Sequence, residues 1–167
     1  ELAWKIFPFV VVLEAPFFLL VTAGMVRYGL RRHRPERQRE RYPRVSCVVT
    51  CYSEGEDVRK TIQSLAQQLY PGHIEIIAVI DGAIQNRPTL LAARNARRLL
   101  AGQAKRNLVV LPKWQRGGRV SSLNAGLSIA TGEIVMALAS DTSFDNDMVR
   151  NATRHLDDPG VVGGSGN

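Results

Sequence analysis

Across residues 43–167, short apolar runs alternate with stretches in which apolar residues recur at helical spacing. Residues 45–50 (VSCVVT) form the first run, which breaks in the polar loop Cys51, Tyr52, Ser53, Glu54 and Gly55. Val58, Ile62, Leu65 and Leu69 follow behind acidic Glu56 and Asp57, and predict an amphipathic helix that ends at Tyr70, Pro71 and Gly72. Residues 74–80 read as a second strand closed by Asp81 and Gly82, and Pro88, at a first helical position, opens a helix to about residue 100. A third strand covers 108–111. The polar loop 112–118 then leads to a helix with Val120, Leu123, Leu127 and Ala130 on one face and Gly132 as its C′ residue. Residues 134–145 (IVMALASDTSFD) begin as an apolar strand and end abruptly in Ser140, Asp141 and Thr142. Asp145 is expected to cap a last helix carrying Met148, Ala152 and Leu156, before a fragmentary strand at Val161 and Val162. This βαβαβαβα order predicts an α/β domain, a mostly parallel sheet with helices on both faces and right-handed crossovers.

The amino end reads differently. Residues 6–26 are apolar except for Glu14 and Thr22, and at ~1.5 Å per residue such a helix reaches ~31 Å, the thickness of a bilayer core. One transmembrane helix is therefore expected within residues 1–28, with a buried core helix as the alternative. A basic juxtamembrane linker at 29–44 and the α/β domain at 45–167 would follow. The net charge is +7, and Arg27, Arg31, Arg32, Arg34, Arg37, Arg39, Arg41 and Arg44, opposed by Glu36 and Glu40, supply +6 of it. Charge concentrated there argues against a nucleic-acid partner and places everything after Arg27 in the cytoplasm, at a cell membrane such as the bacterial inner membrane. Glu14 and Pro16 are costly on an isolated spanning helix, so membrane lipid and other transmembrane segments are the expected partners. The first residue, Glu1, is not an initiator Met, which suggests a piece of a longer chain. Cys47 and Cys51 lack zinc-ligand spacing and read as reduced packing residues, and His33, His73 and His155 belong to no motif.

Candidate chemistry gathers at strand ends. No G-x-G-x-x-G follows the first strand, and RGGRVSS lacks the Lys and the position of a P-loop. Acidic residues stand there instead: Glu54 after the first strand, Asp81 after the second and Asp141 after the fourth. Ligands of open α/β sheets bind beyond the carboxyl ends of the strands. Because acids repel phosphate, these three would hold a bridging metal, or a base and ribose, which suits a nucleotide diphosphate sugar. Asp, Thr and Ser are also ordinary turn and N-cap residues, so each position has a purely local reading as well.

Four segments in order resemble the family 2 glycosyltransferases of the GT-A (Rossmann-like) fold, particularly the processive membrane synthases of cellulose, chitin, hyaluronan or poly-N-acetylglucosamine. VSCVVTCYSEGEDVRKTIQSLAQQLYP is similar to the family's opening strand, loop and helix, which implies that Tyr52 and Glu54 lie beside the nucleotide base. IEIIAVIDG resembles the second strand, with Asp81 matching the carboxylate that holds uracil. GGRVSSLNAGLSIATGEIV resembles the G-G-K-x-x-A-L-N-x-G-L segment, with Arg119 in the usual Lys position facing the donor phosphates. ALASDTSFDNDM is similar to the D-x-D segment, with Ser140 beside the donor and Asp141 as the Asp that binds Mg²⁺ or Mn²⁺.

The resemblance implies inverting transfer of a sugar from a UDP-sugar donor to a polysaccharide acceptor. Ala139 replaces the first Asp of D-x-D, and the sequence stops before the family's catalytic base and its Gln-x-x-Arg-Trp motif. No catalytic residue is therefore assigned, and Asp145 and Asp147 are read as helix caps. The alternative function is a truncated or inactive donor-binding module that supports a membrane complex.

Overall fold

The computed structural model describes residues 2–32, 41–157 and 160–165. The chain divides into two compact units, Glu1–Glu40 and Arg41–Asn167.

The first unit contains one helix, α1 (Leu2–Arg32), with Pro8 and Pro16 inside it. Phe17, Phe18, Leu19 and Leu20 on it are exposed. Among the described residues, however, no helix is long and apolar enough to cross a membrane. The spanning helix expected from residues 6–26 is therefore not found among the described residues. Residues 33–40 of the expected basic linker lie outside the described residues.

The second unit is a four-stranded sheet in which every pairing is parallel. Its strands are β1 (Val45–Cys51), β2 (Ile74–Ile80), β3 (Arg106–Pro112) and β4 (Ile134–Ala139), in the spatial order β3-β2-β1-β4. The helices between them are α2 (Asp57–Ala66), α3 (Arg87–Asn95), continued by a 3-10 turn at Ala96–Leu100, α4 (Gly118–Leu127) and, after β4, α5 (Met148–Arg154). β1 and β2 are central and almost wholly buried, which is why they read as unbroken apolar runs. Val45, Cys47, Val49, Ile74, Ile76, Ala78 and Ile80 face one core with Val58, Ile62 and Leu65 of α2, Leu90 of α3 and Val149 of α5. Val48, Ile77 and Val79 face the other, where Leu123 and Ala125 of α4 pack. Helices thus cover both faces, as the alternation predicts. Burial raises both thiols above the ordinary range, Cys47 to about 12, and both are free, which fits packing residues.

Several details differ from the sequence pattern. α2 ends at Ala66, so Leu69 falls in the following turn and is exposed. α4 does not pack through Val120 and Leu127, both exposed; it buries Ser122 and Gly126. A Cβ on Gly126 would lie 2.4 Å from Val48 Cγ1, so close approach, not apolar periodicity, seats this helix. Gly132 is not a helix C′ residue, since α4 ends five residues earlier; it lies against β1, where a Cβ would come 2.6 Å from the Ser46 nitrogen. Asp147, not Asp145, occupies the N-cap position of α5, and it makes no side-chain cap bond. This helix buries Val149 and Thr153, not Ala152, and residues 161–162 form no strand.

Two polar devices tie the framework together. Arg106, the first residue of β3, donates through its guanidinium to the carbonyls of Ala66, Gln68, Tyr70 and Gly72 at 2.8–3.3 Å, clasping the end of α2 and the turn after it. At the amino end of the sheet, Glu75 accepts from the Ser46 hydroxyl at 2.5 Å and from the amide and hydroxyl of Thr131 at 2.9 and 3.1 Å, while Ser46 Oγ accepts from Gly132 N. Burial works to raise the Glu75 pKa. These hydrogen bonds, with the Arg44 charge, outweigh it, and the carboxyl stays below its ordinary value.

Candidate donor site

The strand order sets the site. The chain leaves β1 through α2 to β2 on one side, goes on to β3, and returns through α4 to β4 on the other side of β1. The strand order reverses beside β1, and the carboxyl ends of β1 and β4 there mark the position where ligands bind in open α/β sheets. A cleft of about 270 Å³ lies there. It is lined by Tyr52, Glu54, Asp81, Arg119, Ser140 and Asp141, all named from sequence, with Thr50, Cys51, Arg116, Gly118, Ser122 and Ala139.

Glu54 is the tie across the crevice. Its Oε2 accepts from the Tyr52 amide at 2.7 Å, and its Oε1 accepts from Ser140 Oγ at 2.6 Å. One carboxylate thus joins the loop after β1 to the end of β4. Thr61 of α2 supports the same edge, its hydroxyl lying 2.7 Å from the Ser140 carbonyl and 2.9 Å from that of Thr142.

Asp81 organises the other wall. It accepts from Lys113 Nζ at 2.9 Å, Gly117 N at 2.9 Å and Gly118 N at 2.8 Å. Gly118 has φ 77°, a backbone conformation that costs glycine little and that turns successive amides toward one carboxylate. Lys113 also reaches the hydroxyls of Ser121 and Ser122. Burial works to raise the Asp81 pKa, but the hydrogen bonds from Lys113, Gly117 and Gly118 and the Lys113 charge hold it below the ordinary value. Asp81 therefore fixes the start of α4, the segment that carries Arg119. An ionised carboxylate has about four acceptor positions, and three are engaged here.

The charges that remain are exposed. Arg119 makes no hydrogen bond or ion pair among the described residues, and the Arg116 guanidinium lies over the Tyr52 ring, 4.1 Å from its centroid. Asp141 is exposed and accepts from Thr142 Oγ1 at 3.2 Å. Among the described residues, no group of three or more His, Cys, Asp or Glu side chains is gathered to hold a metal. Asp141 therefore offers one uncommitted carboxylate beside Ala139, a donor set that suits Mg²⁺ or Mn²⁺ only when substrate oxygens complete the shell.

Sequence reasoning did not single out Lys113 or Arg116. Lys113 meets Asp81 only because β3 lies beside β2 with Ile80 opposite Pro112. The basic residues of the loop 113–119 were the one visible signal.

A parallel α/β domain with an acidic and basic cleft at its topological switch point is the class that this fold and site define. The chain belongs to glycosyl transferase family 2, whose family model matches residues 46–166. It is 31% identical over 120 residues to an N-acetylglucosaminyltransferase of Rhizobium leguminosarum bv. viciae, covering 71% of this chain and 27% of that protein. It is 30% identical over 105 residues to the poly-beta-1,6-N-acetyl-D-glucosamine synthase of Staphylococcus epidermidis, covering 62% and 23%. The chain thus spans about a quarter of the length of these relatives. Among solved structures it resembles S. aureus TarS 1-349, with a TM-score of 0.54 and 26% identity over 68% of this chain and 32% of that one. The mannosyltransferase PcManGT of Pyrobaculum calidifontis, solved with GDP-Man and Mn²⁺, shares the fold with a TM-score of 0.61 at 24% identity, covering 89% and 43%.

Proposed function

We propose that this chain is the donor-binding part of an inverting glycosyltransferase that moves a sugar from a UDP-sugar to a growing polysaccharide. One observation carries the reading: the switch-point cleft brings together the five residues expected to hold the donor and Asp141, expected to hold the metal. Tyr52 offers a ring for the base to stack on, and Glu54 fixes the loop that carries it. Asp81 has one acceptor position left for the uracil imide after holding Lys113, Gly117 and Gly118. Arg119 faces the diphosphate, and Ser140 closes the edge next to the sugar. Asp141 would hold Mg²⁺ or Mn²⁺, whose charge offsets that developing on the departing diphosphate. The N-acetylglucosaminyltransferase and poly-N-acetylglucosamine synthase relatives support N-acetylglucosamine as the sugar and a polysaccharide as the acceptor. The exposed apolar residues of α1 and the arginines that follow it in sequence support a membrane face as the place of reaction. An inactive module is not favoured, because the relatives are named as enzymes.

Calorimetry of the chain with UDP, GDP and ADP, with and without Mn²⁺, tests the reading. UDP is expected to bind best, and more tightly with Mn²⁺. Equal weak binding of all three would remove the donor site.

A further inference from the structure

The placement of Arg116 goes further than its charge. Its guanidinium covers the Tyr52 ring at 4.1 Å from the centroid, and both side chains line the cleft. The backbone on either side is pinned: the Lys113 amide donates to the Ile80 carbonyl and the Lys113 carbonyl accepts from the Ala83 amide, while the Gly117 and Gly118 amides are bound to Asp81. The Arg116 Cβ also sits 3.5 Å from where a Cβ on Gly82 would stand. The loop therefore delivers this side chain to the ring without needing to move, and only rotation within the side chain can uncover it. No acidic partner holds Arg116 there among the described residues. Its hold on the ring is a cation–π contact at an exposed position, which is weak.

We propose that Arg116 is a displaceable cover on the base platform: an entering nucleobase takes its place on Tyr52, and the released guanidinium joins Arg119 on the diphosphate. This rests on the donor-site reading above. A guanidinium and a base stack on an aromatic ring through the same layer of space, so both cannot occupy one face. The two charges lie three residues apart at the start of α4 and line one cleft, which suits a diphosphate better than either charge alone. The cover thus disfavours a nucleoside without phosphates, which must remove the cation and gives it nothing in return, and it favours a nucleotide that rewards the released charge.

The test compares uridine with UDP on the wild-type chain, Arg116→Ala and Arg116→Lys, by calorimetry in Mn²⁺ buffer. In Arg116→Ala, uridine is expected to bind about two- to fivefold more tightly, because a contact of the exposed cation–π class no longer competes. UDP is expected to bind about tenfold more weakly, because a charge-assisted partner is gone. Arg116→Lys should improve uridine less than Arg116→Ala while keeping most of the UDP affinity, because an ammonium keeps the charge and a weaker hold on the ring. Arg116 is exposed, and unchanged melting temperatures verify that both variants are folded. Uridine weakening in parallel with UDP would mean that Arg116 stays on the base, and unchanged binding of both would make it a surface contact. Either result overturns the cover while leaving the donor site standing. If the wild-type chain binds neither UDP nor GDP, the donor reading falls and the cover falls with it.

Discussion

At the amino end of the sheet Glu75 is buried among Ser46, Thr131 and Gly132; at the carboxyl end Asp81 is buried among Lys113, Gly117 and Gly118. Both carboxyls lie below their ordinary pKa because hydrogen bonds outweigh burial. The Glu75 network closes on itself, with Ser46 both donating to Glu75 and accepting from Gly132. The Asp81 network opens outward, because the segment it fixes carries Arg116 and Arg119 to a rim shared with Asp141. Among the described residues no buried side-chain polar atom lacks a partner, so the polarity available to a ligand is at that rim. Buried carboxylates build the frame at both ends, and exposed charges make one end a site.

The comparison breaks if damage at the amino end reaches the cleft. Glu75→Ala should cost about 3 kcal/mol of stability, because it strands the Thr131 amide and frees the Ser46 hydroxyl in a buried place. UDP affinity of the folded fraction should not change; a parallel loss of affinity would show that the two ends are coupled. Lys113→Met should cost about 2 to 3 kcal/mol in denaturant unfolding, since the partners are 18% and 7% exposed and Asp81 keeps its two amide donors. Here UDP binding should fall as well. Unchanged binding would mean that the start of α4 holds its place without Asp81. Arg119→Ala sharpens the contrast from the other side, with about 1.5 kcal/mol lost in UDP binding and stability within about 0.5 kcal/mol of wild type.

The smallest effect is in pH. Asp81 and Glu75 both have folded pKa values below their unfolded ones, so their stabilisation is full above the unfolded value, about 4, and is lost as pH falls through the folded values. Melting curves from pH 7 down to about 3 should be flatter in the acid limb for Glu75→Gln and Asp81→Asn than for wild type. Steeper limbs would reverse the sign of both shifts.

How much of this was legible in the sequence depended on what each residue contacts. β2 was read to the residue, because a doubly buried strand has no polar position to blur its ends. That Glu54, Asp81 and Asp141 meet at one edge was readable because strand order brings strand ends together, whereas Tyr52 and Ser140 were named from the family resemblance. Of the face expected for α4, Leu123 and Ala130 pack on the sheet, whereas Val120 and Leu127 were misread because the closest contact is made by Gly126, which has no side chain to show in a hydropathy pattern. Lys113 was missed because its partner is 32 residues away, on the neighbouring strand. At the amino end hydropathy suggested a span of the bilayer, and among the described residues no helix is long and apolar enough to make one.

The clasp made by Arg106 bears on timing as well as strength. Four carbonyls between Ala66 and Gly72 share one guanidinium that belongs to the outer strand β3. A connecting turn of this kind ordinarily opens by itself and exchanges its amide protons early, whereas here it cannot loosen until the edge of the sheet does. In deuterated buffer the amides of residues 67–70 and 72 and those of β3 should therefore label together, on one shared clock, and Arg106→Ala should let the turn run ahead of the strand.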